Sequence, residues 1–212
     1  MVSAADRRSR RTIAVSEAET IRLFVAIRVP DAIKENLSVV QRELRQLVPE
    51  ASIRWTPREQ IHLTLRFFGG VSSEALPELM GALKNTCESS PPLNLQARGL
   101  GVFPPKRDPR VIWVGVYDGQ NQLGSLQQRI ENATAQFGEK PDEREFSAHL
   151  TLARIKHLRS HEVRTLRQFV SAQADRACGE WSAGEIELIR SELGSGEARH
   201  SIISAYALRN LR

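Results

Sequence analysis

The sequence predicts an α+β fold built around antiparallel β-sheet. Helix-like and strand-like patterns are interspersed along the chain rather than grouped. Several neighbouring predicted strands are joined by short turns, which suit antiparallel pairing and not the crossovers of a parallel sheet. No low-complexity segment or short repeat period interrupts the pattern. With 212 residues, 41% of them hydrophobic, the chain is long enough to bury a core.

The first elements have clear sequence signals. Residues 21–29 alternate between apolar and other side chains, as in a strand. Pro30 and Asp31 then open an amphipathic helix that ends before Pro49. Its apolar positions recur at spacings of three and four. They are Ile33, Leu37, Val40, Leu44 and Leu47.

The segment before the middle of the chain predicts a turn, a strand and a helix. Residues 56–59 have the form of a capping box with proline at the first helical position, which predicts one short turn. Residues 61–68 form the next predicted strand, ended by the glycine pair 69–70. A helix is predicted over 73–88, where Pro77 is tolerated only in the first turn.

The remaining elements are mostly strands. Strands are predicted at 93–103, 111–117, 146–155, 182–190 and 201–209, with helices at 120–137 and 161–172. A basic, proline-containing loop separates the strands at 93–103 and 111–117, and a glycine-bearing turn at 194–196 joins the last two strands.

The composition narrows the function classes without naming one. The net charge of +5 suits binding of polyanions such as RNA. No apolar run approaches the ~18 residues that a transmembrane helix needs, which argues against a membrane protein. Cys87 and Cys178 lack the spacing of a metal site or disulfide framework, so we expect a reducing, cytoplasmic setting.

The first twenty residues differ from the rest. They carry arginines at 7, 8, 10 and 11 without an apolar segment after them, which excludes a secretory signal. Arginine and serine also suit an organellar transit peptide, but three acidic residues dilute that pattern. We therefore expect a disordered basic extension over 1–20, followed by a single domain over 21–212.

One tetrapeptide occurs twice. Side chains alternate across a strand, so the histidine and threonine of each copy share one face while the leucines share the other. A single match would be explained by a structural histidine, but two matches in the same predicted context favour a site. The copies are His62-Leu63-Thr64-Leu65 and His149-Leu150-Thr151-Leu152.

Two histidines facing one groove suit acid–base chemistry at phosphorus. An imidazole with a pKa near 6.5 is available in either proton state at neutral pH. A neutral ring can activate water while a protonated ring delivers a proton to a departing oxygen. Thr64 and Thr151 can donate hydrogen bonds to the non-bridging phosphate oxygens.

Two arginines follow the tetrapeptides. Arg66 is the next residue on the His62 face by strict alternation and could bind substrate, although a solvated charge at a strand end is an equal alternative. Arg154 points away from His149 by the same rule, so it needs a bend in the strand to reach phosphate.

No metal or other cofactor is predicted. Neither tetrapeptide has a carboxylate beside its histidine, as hard divalent cations require. His157 and His161 have a spacing that can bind zinc on a helix, but they straddle a strand-to-helix connection and have no evident third ligand, so we interpret them as surface residues.

The chain resembles the two-histidine (2H) phosphoesterases, and among them the LigT-like RNA 2′,3′-cyclic phosphodiesterases, once called 2′-5′ RNA ligases. The likeness runs in order from residue 21 to the C-terminus. It includes segments 22–26, 54–55, 62–69, 102–104, 109–113 and 146–154, the last with Arg154.

The resemblance implies a two-lobed fold with pseudo-two-fold symmetry, helices outside and the active site between the lobes. It implies metal-independent hydrolysis of RNA 2′,3′-cyclic phosphate ends to 2′-phosphomonoesters. By motif position, His62 is the proton donor and His149 the proton acceptor, and we expect a monomer with RNA as partner. Near the C-terminus the family usually has a tyrosine where this chain has Arg199 and His200.

Other functions stay open on these residues. Reversible 2′-5′ RNA ligation uses the same groups, as would a phosphodiesterase of small cyclic nucleotides. A non-catalytic RNA-binding module is a further alternative, although such a module has no need of both histidines.

Overall fold

The computed structural model describes residues 19–140, 145–192, 194 and 198–209. Within them the chain forms four α-helices and nine β-strands. The helices are α1 (Asp31–Arg45), α2 (Leu76–Glu88), α3 (Gln122–Thr134) and α4 (Ser160–Ala172). The strands are β1 (Thr20–Arg28), β2 (Ile53–Trp55), β3 (His62–Ser72), β4 (Leu93–Phe103), β5 (Val111–Asp118), β6 (His149–Ile155), β7 (Ala177–Ala183), β8 (Glu185–Glu192) and β9 (Arg199–Ala207).

All nine strands belong to one curled sheet, in the order β7-β4-β5-β6-β3-β1-β8-β9. The short strand β2 pairs with β6 beside this path, and every paired neighbour is antiparallel. The sheet divides into a first lobe, formed by β3, β1, β8 and β9, and a second lobe, formed by β6, β5, β4 and β7. The lobes meet where β3 pairs with β6 at Leu63 and Leu150. The predicted α+β, two-lobed fold is confirmed, with each tetrapeptide on a strand at the junction.

The helices cover one face of the sheet. Their apolar sides and the inward side chains of the strands form one core, to which Leu63, Leu65, Leu150 and Leu152 belong. The histidines and threonines between these leucines are only partly buried. The opposite face of the sheet is therefore the one that carries the candidate site.

The structure departs from the predicted elements at glycines. Strand β3 runs through Gly69 and Gly70 to Ser72, because Gly69 takes a positive φ of 64° at a bulge against β1 instead of ending the strand. The strand predicted at 182–190 is interrupted at Gly184, where β7 ends and β8 begins. Most of β7 was not predicted, since Gly179 and the small residues around it give a weak strand pattern. The turn at 58–60 forms as predicted, but without the side-chain cap that the sequence suggested.

Residues 1–18 lie outside the described part of the chain, as does most of the turn predicted at 194–196. The extension predicted over 1–20 is therefore not tested, apart from Thr20, which begins β1. No helix in the described ranges is long and apolar enough to cross a membrane.

Candidate active site

The two tetrapeptides meet at the junction of the lobes. In an antiparallel pair centred on Leu63 and Leu150, the adjacent positions bring His62 towards Thr151 and Thr64 towards His149. All four side chains lie on the face opposite the core, because the leucines between them are buried. The structure thus brings the four predicted catalytic residues together.

Both imidazoles are oriented by the same local hydrogen bond. Nδ1 of His62 lies 2.7 Å from the carbonyl oxygen of Gln60, and Nδ1 of His149 lies 2.7 Å from that of Ser147. A carbonyl only accepts, so each Nδ1 carries the proton that it donates. Nε2 of each ring is left for a reacting group.

A cavity of about 300 Å³ opens beside His62. Thr64 and Thr151 line it together with Arg154. Arg22 and Arg54, which were not predicted as site residues, line it too and add positive charge. Three guanidinium groups around two hydroxyls and the His62 imidazole suit an anionic ligand of the size of a nucleotide phosphate.

Arg154 reaches the cavity through a β-bulge. In β6, Thr151 pairs with Trp113 and Ala153 with Ile112, so Leu152 has no partner on β5. Leu152 and Ala153 are both buried, and the strand resumes with Arg154 on the His149 face. The bulge is the bend that strict alternation required.

The prediction for Arg66 is wrong. In β3, Thr64 pairs with Ala26 and Arg66 with Val25, which leaves Leu65 unpaired and turns Arg66 towards the core. Its side chain is buried, with the residue 3% exposed, and makes a salt bridge of 3.0 Å to Glu131. A hydrogen bond of 2.9 Å to the hydroxyl of Thr134 also holds it. Arg66 is therefore neither a substrate ligand nor a solvated charge.

Phe67 takes the place on β3 that Arg154 has on β6. Each lies three residues after its threonine, on the cavity side of the bulge. The Phe67 ring is 46% exposed and stacks on Phe24 with ring centroids 5.9 Å apart. The guanidinium of Arg22 lies 5.7 Å from its centroid. The two lobes thus contribute matching histidines and threonines but a different third residue.

His200 lines the cavity as well. Its ring meets His62 edge-on with centroids 5.7 Å apart and Phe24 with centroids 5.0 Å apart. It stands on β9 opposite Ser191, so sheet pairing, and not any local motif, brings it to the site. The departure from the family pattern noted at this position places a third imidazole beside the first.

The other candidate ligands are elsewhere. His157 lies in the connection between β6 and α4 and His161 in the first turn of α4, and both are exposed, as predicted. Cys87 and Cys178 are buried free thiols. In the described ranges, no three histidine, cysteine, aspartate or glutamate side chains are close enough together to hold a metal ion.

Comparisons with known families agree with this geometry. The family described as LigT like Phosphoesterase matches residues 27–113 and again 114–198, one match for each half of the chain. His62 and His149 stand at the same distance in sequence from the start of their matches. The chain belongs to the LigT-like phosphoesterase family.

Relatives match over most of their length. A protein of Methanocaldococcus jannaschii named RNA 2′,3′-cyclic phosphodiesterase is 30% identical over 186 residues, which cover 88% of this chain and 100% of the relative. A protein of Aquifex aeolicus with the same name is 28% identical over 191 residues, 90% of this chain and 98% of the relative.

Solved structures share the fold. A crystal structure of a Thermus thermophilus protein aligns with a TM-score of 0.75 at 26% identity, covering 91% of this chain and 100% of that one. The crystal structure of E. coli LigT complexed with 3′-AMP aligns with a TM-score of 0.71 at 24% identity, covering 90% and 99%.

Burial controls the protonation of the two histidines in this LigT-like phosphoesterase. The pKa of His62 is lowered from 6.5 to about 4, mainly by burial, with the adjacent His200 acting in the same direction and the hydrogen bond to Gln60 opposing the shift. Burial also lowers the pKa of His149, with the charge of Arg154 in the same direction. Both rings are therefore neutral at pH 7 when the site is empty.

Proposed function

We propose that this LigT-like phosphoesterase hydrolyses RNA 2′,3′-cyclic phosphate ends to 2′-phosphomonoesters. The observation that carries the proposal is the pair of imidazoles, each with its Nε2 free for a reacting group, beside two threonine hydroxyls and the Arg154 guanidinium. The names of the relatives, which cover most of this chain, support the same substrate class.

The reaction is an in-line displacement at phosphorus. A water oxygen attacks the phosphorus while His149 takes a proton from that water at Nε2. The bond between phosphorus and the 3′-oxygen breaks, and His62 gives its Nε2 proton to that oxygen, leaving a 3′-hydroxyl and a 2′-phosphate. The proton later passes from His149 to His62 through solvent, so the cycle balances without a redox or metal step.

The surrounding groups stabilise the transition state. Thr64 and Thr151 donate to the non-bridging oxygens, where negative charge accumulates, and Arg154 neutralises part of that charge. The bound phosphate also favours the protonated form of His62, because an opposite charge nearby raises the pKa of an imidazole. Substrate binding thereby supplies the acid that the empty site lacks.

The product identifies the reaction. Incubation with a nucleoside 2′,3′-cyclic phosphate is expected to give only the 2′-phosphate, read from the phosphorus NMR spectrum. A 3′-phosphate product would contradict the assignment of the leaving oxygen. Adding an oligonucleotide with a free 5′-hydroxyl tests ligation, and a 2′-5′-linked product would show that this acceptor competes with water.

We expect the activity to be unchanged in excess chelator. The reason is that the proposed steps use only imidazole, hydroxyl and guanidinium groups. Initial rates with and without chelator measure this directly. A loss of rate that a divalent cation restores would contradict the metal-independent reaction.

The pH dependence follows from the lowered pKa values. The bell-shaped profile of kcat/KM reports the free enzyme, so we expect both of its limbs below pH 6.5, the usual pKa of histidine. The profile of kcat reports the complex, in which the phosphate raises the imidazole pKa values, so its limbs are expected at higher pH. A kcat/KM limb above neutrality that disappears in a histidine variant would contradict this.

We further propose a cytoplasmic monomer whose residues 21–212 form one domain. Support comes from the site, which takes both histidines from one chain, and from the sheet to which both halves contribute. Sedimentation of the full chain tests the monomer.

Deletion of residues 1–20 is expected to preserve turnover of a small cyclic nucleotide.

A further inference from the structure

The catalytic face of the sheet continues across the second lobe. Gly115 on β5 pairs with His149 on β6, and Arg98 on β4 pairs with Gly115. Residues paired directly across antiparallel strands share a face. Arg98, Gly115 and His149 therefore form a row across the sheet, in which strands are about 4.8 Å apart.

An exposed tyrosine lies over this row. Tyr117 is 48% exposed, and a methyl group added at Gly115 would come within 2.9 Å of its ring. The ring thus leans over Gly115, the partner of His149, where the absence of a side chain makes room for it. The guanidinium of Arg98 lies 5.3 Å from the ring centroid. The guanidinium therefore lies over the ring, and the two groups form one aromatic and cationic surface.

A second cavity adjoins this pair. It has a volume of about 580 Å³ and is lined by Tyr117, Arg98, Gln96 and Glu180 among others. That size lies within the ~300–1,000 Å³ range of ligand sites. Tyr117 follows Gly115 on β5, on the side of His149 away from Thr151, so the two cavities lie on either side of His149 on the same face of the sheet.

The two carboxylates that line this cavity, Asp118 and Glu180, accept hydrogen bonds from groups other than Arg98. Asp118 accepts hydrogen bonds from the backbone N–H groups of Gln122 and Leu123 at the start of α3. Glu180 accepts a hydrogen bond of 2.7 Å from the side-chain amide of Gln96. Arg98 is thus the group available to a phosphate, while the Glu180 carboxylate can accept from sugar hydroxyls or base amino groups.

We propose that the face formed by Tyr117 and Arg98 binds the nucleotide on the 5′ side of the cyclic phosphate end. Its base stacks on Tyr117 and its phosphodiester lies against Arg98, as in sites that bind single-stranded RNA without reading its sequence. This inference rests on the proposed function and specifies its substrate: an RNA chain is preferred over a mononucleotide.

The test compares two substrates and three variants. The wild-type enzyme is expected to turn over a dinucleotide ending in a 2′,3′-cyclic phosphate with a higher kcat/KM than a mononucleoside 2′,3′-cyclic phosphate. Tyr117→Ala is expected to lose about 10- to 100-fold on the dinucleotide, the size of one stacking contact, and nothing on the mononucleotide. Tyr117→Phe keeps the ring and should behave as wild type.

A matched control lies on the other lobe. Ile202 is 54% exposed and pairs with Ile189, which pairs with Phe24, so it is on the same face of the sheet. Ile202→Ala is expected to leave both substrates unaffected. A loss on the dinucleotide in Ile202→Ala in place of Tyr117→Ala would put the 5′ nucleotide on the first lobe and overturn the proposal.

Two further results separate the subsite from the reaction. Equal loss on both substrates in Tyr117→Ala would show a structural role and also overturn the proposal. If neither cyclic phosphate is hydrolysed, the proposed function fails, and the subsite is then tested by equilibrium binding of the 2′-phosphorylated mononucleotide and dinucleotide. Tighter binding of the dinucleotide that disappears in Tyr117→Ala supports it, and equal affinities contradict it.

Discussion

Alanine in place of His62 or His149 is expected to lower kcat by several orders of magnitude. Each imidazole performs one proton transfer, and such a role is worth ~10²–10⁴ in rate. The double variant should lose little more than the worse single one, because the two groups act as a unit. Single-turnover rates on a nucleoside 2′,3′-cyclic phosphate measure these losses. Near-wild-type turnover in either variant would exclude the two-histidine reaction.

The roles of the histidines can be separated with the leaving group. A nitrophenyl phosphodiester needs no protonation as it departs, so it should restore turnover in His62→Ala and not in His149→Ala. The opposite pattern would exchange donor and acceptor. As a control within the same strands, Thr64→Ala and Thr151→Ala each remove one hydrogen bond to a charged oxygen and should cost only ~1.5–3 kcal/mol in transition-state binding.

Arg66→Ala is expected to lower the stability of the protein, whereas Arg154→Ala is expected to lower its activity. Removing Arg66 leaves the partly buried Glu131 without its 3.0 Å ion pair, which should lower the free energy of unfolding by about 3–5 kcal/mol. Removing the exposed Arg154 should change it by less than ~0.5 kcal/mol but raise the barrier of the phosphoryl reaction by ~1.5–3 kcal/mol. Urea unfolding and kcat/KM provide the two measurements.

A second variant distinguishes a role of Arg66 in the reaction from a loss of activity through misfolding. The double replacement Arg66→Met with Glu131→Leu removes both charges and keeps apolar volume, so it should recover most of the stability lost in Arg66→Ala. Loss of activity in that double variant, at full stability, would show that Arg66 influences the reaction. An unstable Arg154→Ala would show that the guanidinium is part of the fold.

The sequence predicted the two strands that carry the tetrapeptides and the face on which each histidine and threonine lies. The prediction of the residues that follow failed, because one bulged residue changes the register of each strand. Period-two alternation was enough to place His62 and Thr64 opposite the leucines. It could not show that Leu65 is skipped on β3, because a bulge depends on the partner strand and not on the bulged segment alone. The arginines after the two tetrapeptides therefore exchanged their predicted positions.

Long-range pairing explains the rest of what the sequence did not reveal. His200 and Arg22 enter the cavity from β9 and β1, which lie far apart in the chain and come together only through the strand order of the sheet. No local spacing connects them with His62. Strand β7 lacked a clear alternation, so its place at the sheet edge beside β4 followed only from the structure.

The junction at Leu63 and Leu150 makes the chain comparable to a homodimer whose protomers have been joined in one polypeptide. In a true two-fold dimer, equivalent positions must hold the same residue. Here the equivalent positions hold Phe67 on one side and Arg154 on the other, and a third imidazole, His200, lies beside only one of the two histidines. A phosphodiester undergoing displacement has an entering and a leaving oxygen, which are chemically different. Because the two halves are joined in one chain, their site residues can differ, as this substrate requires. The backbone keeps the pseudo-two-fold symmetry that brings the two tetrapeptides together.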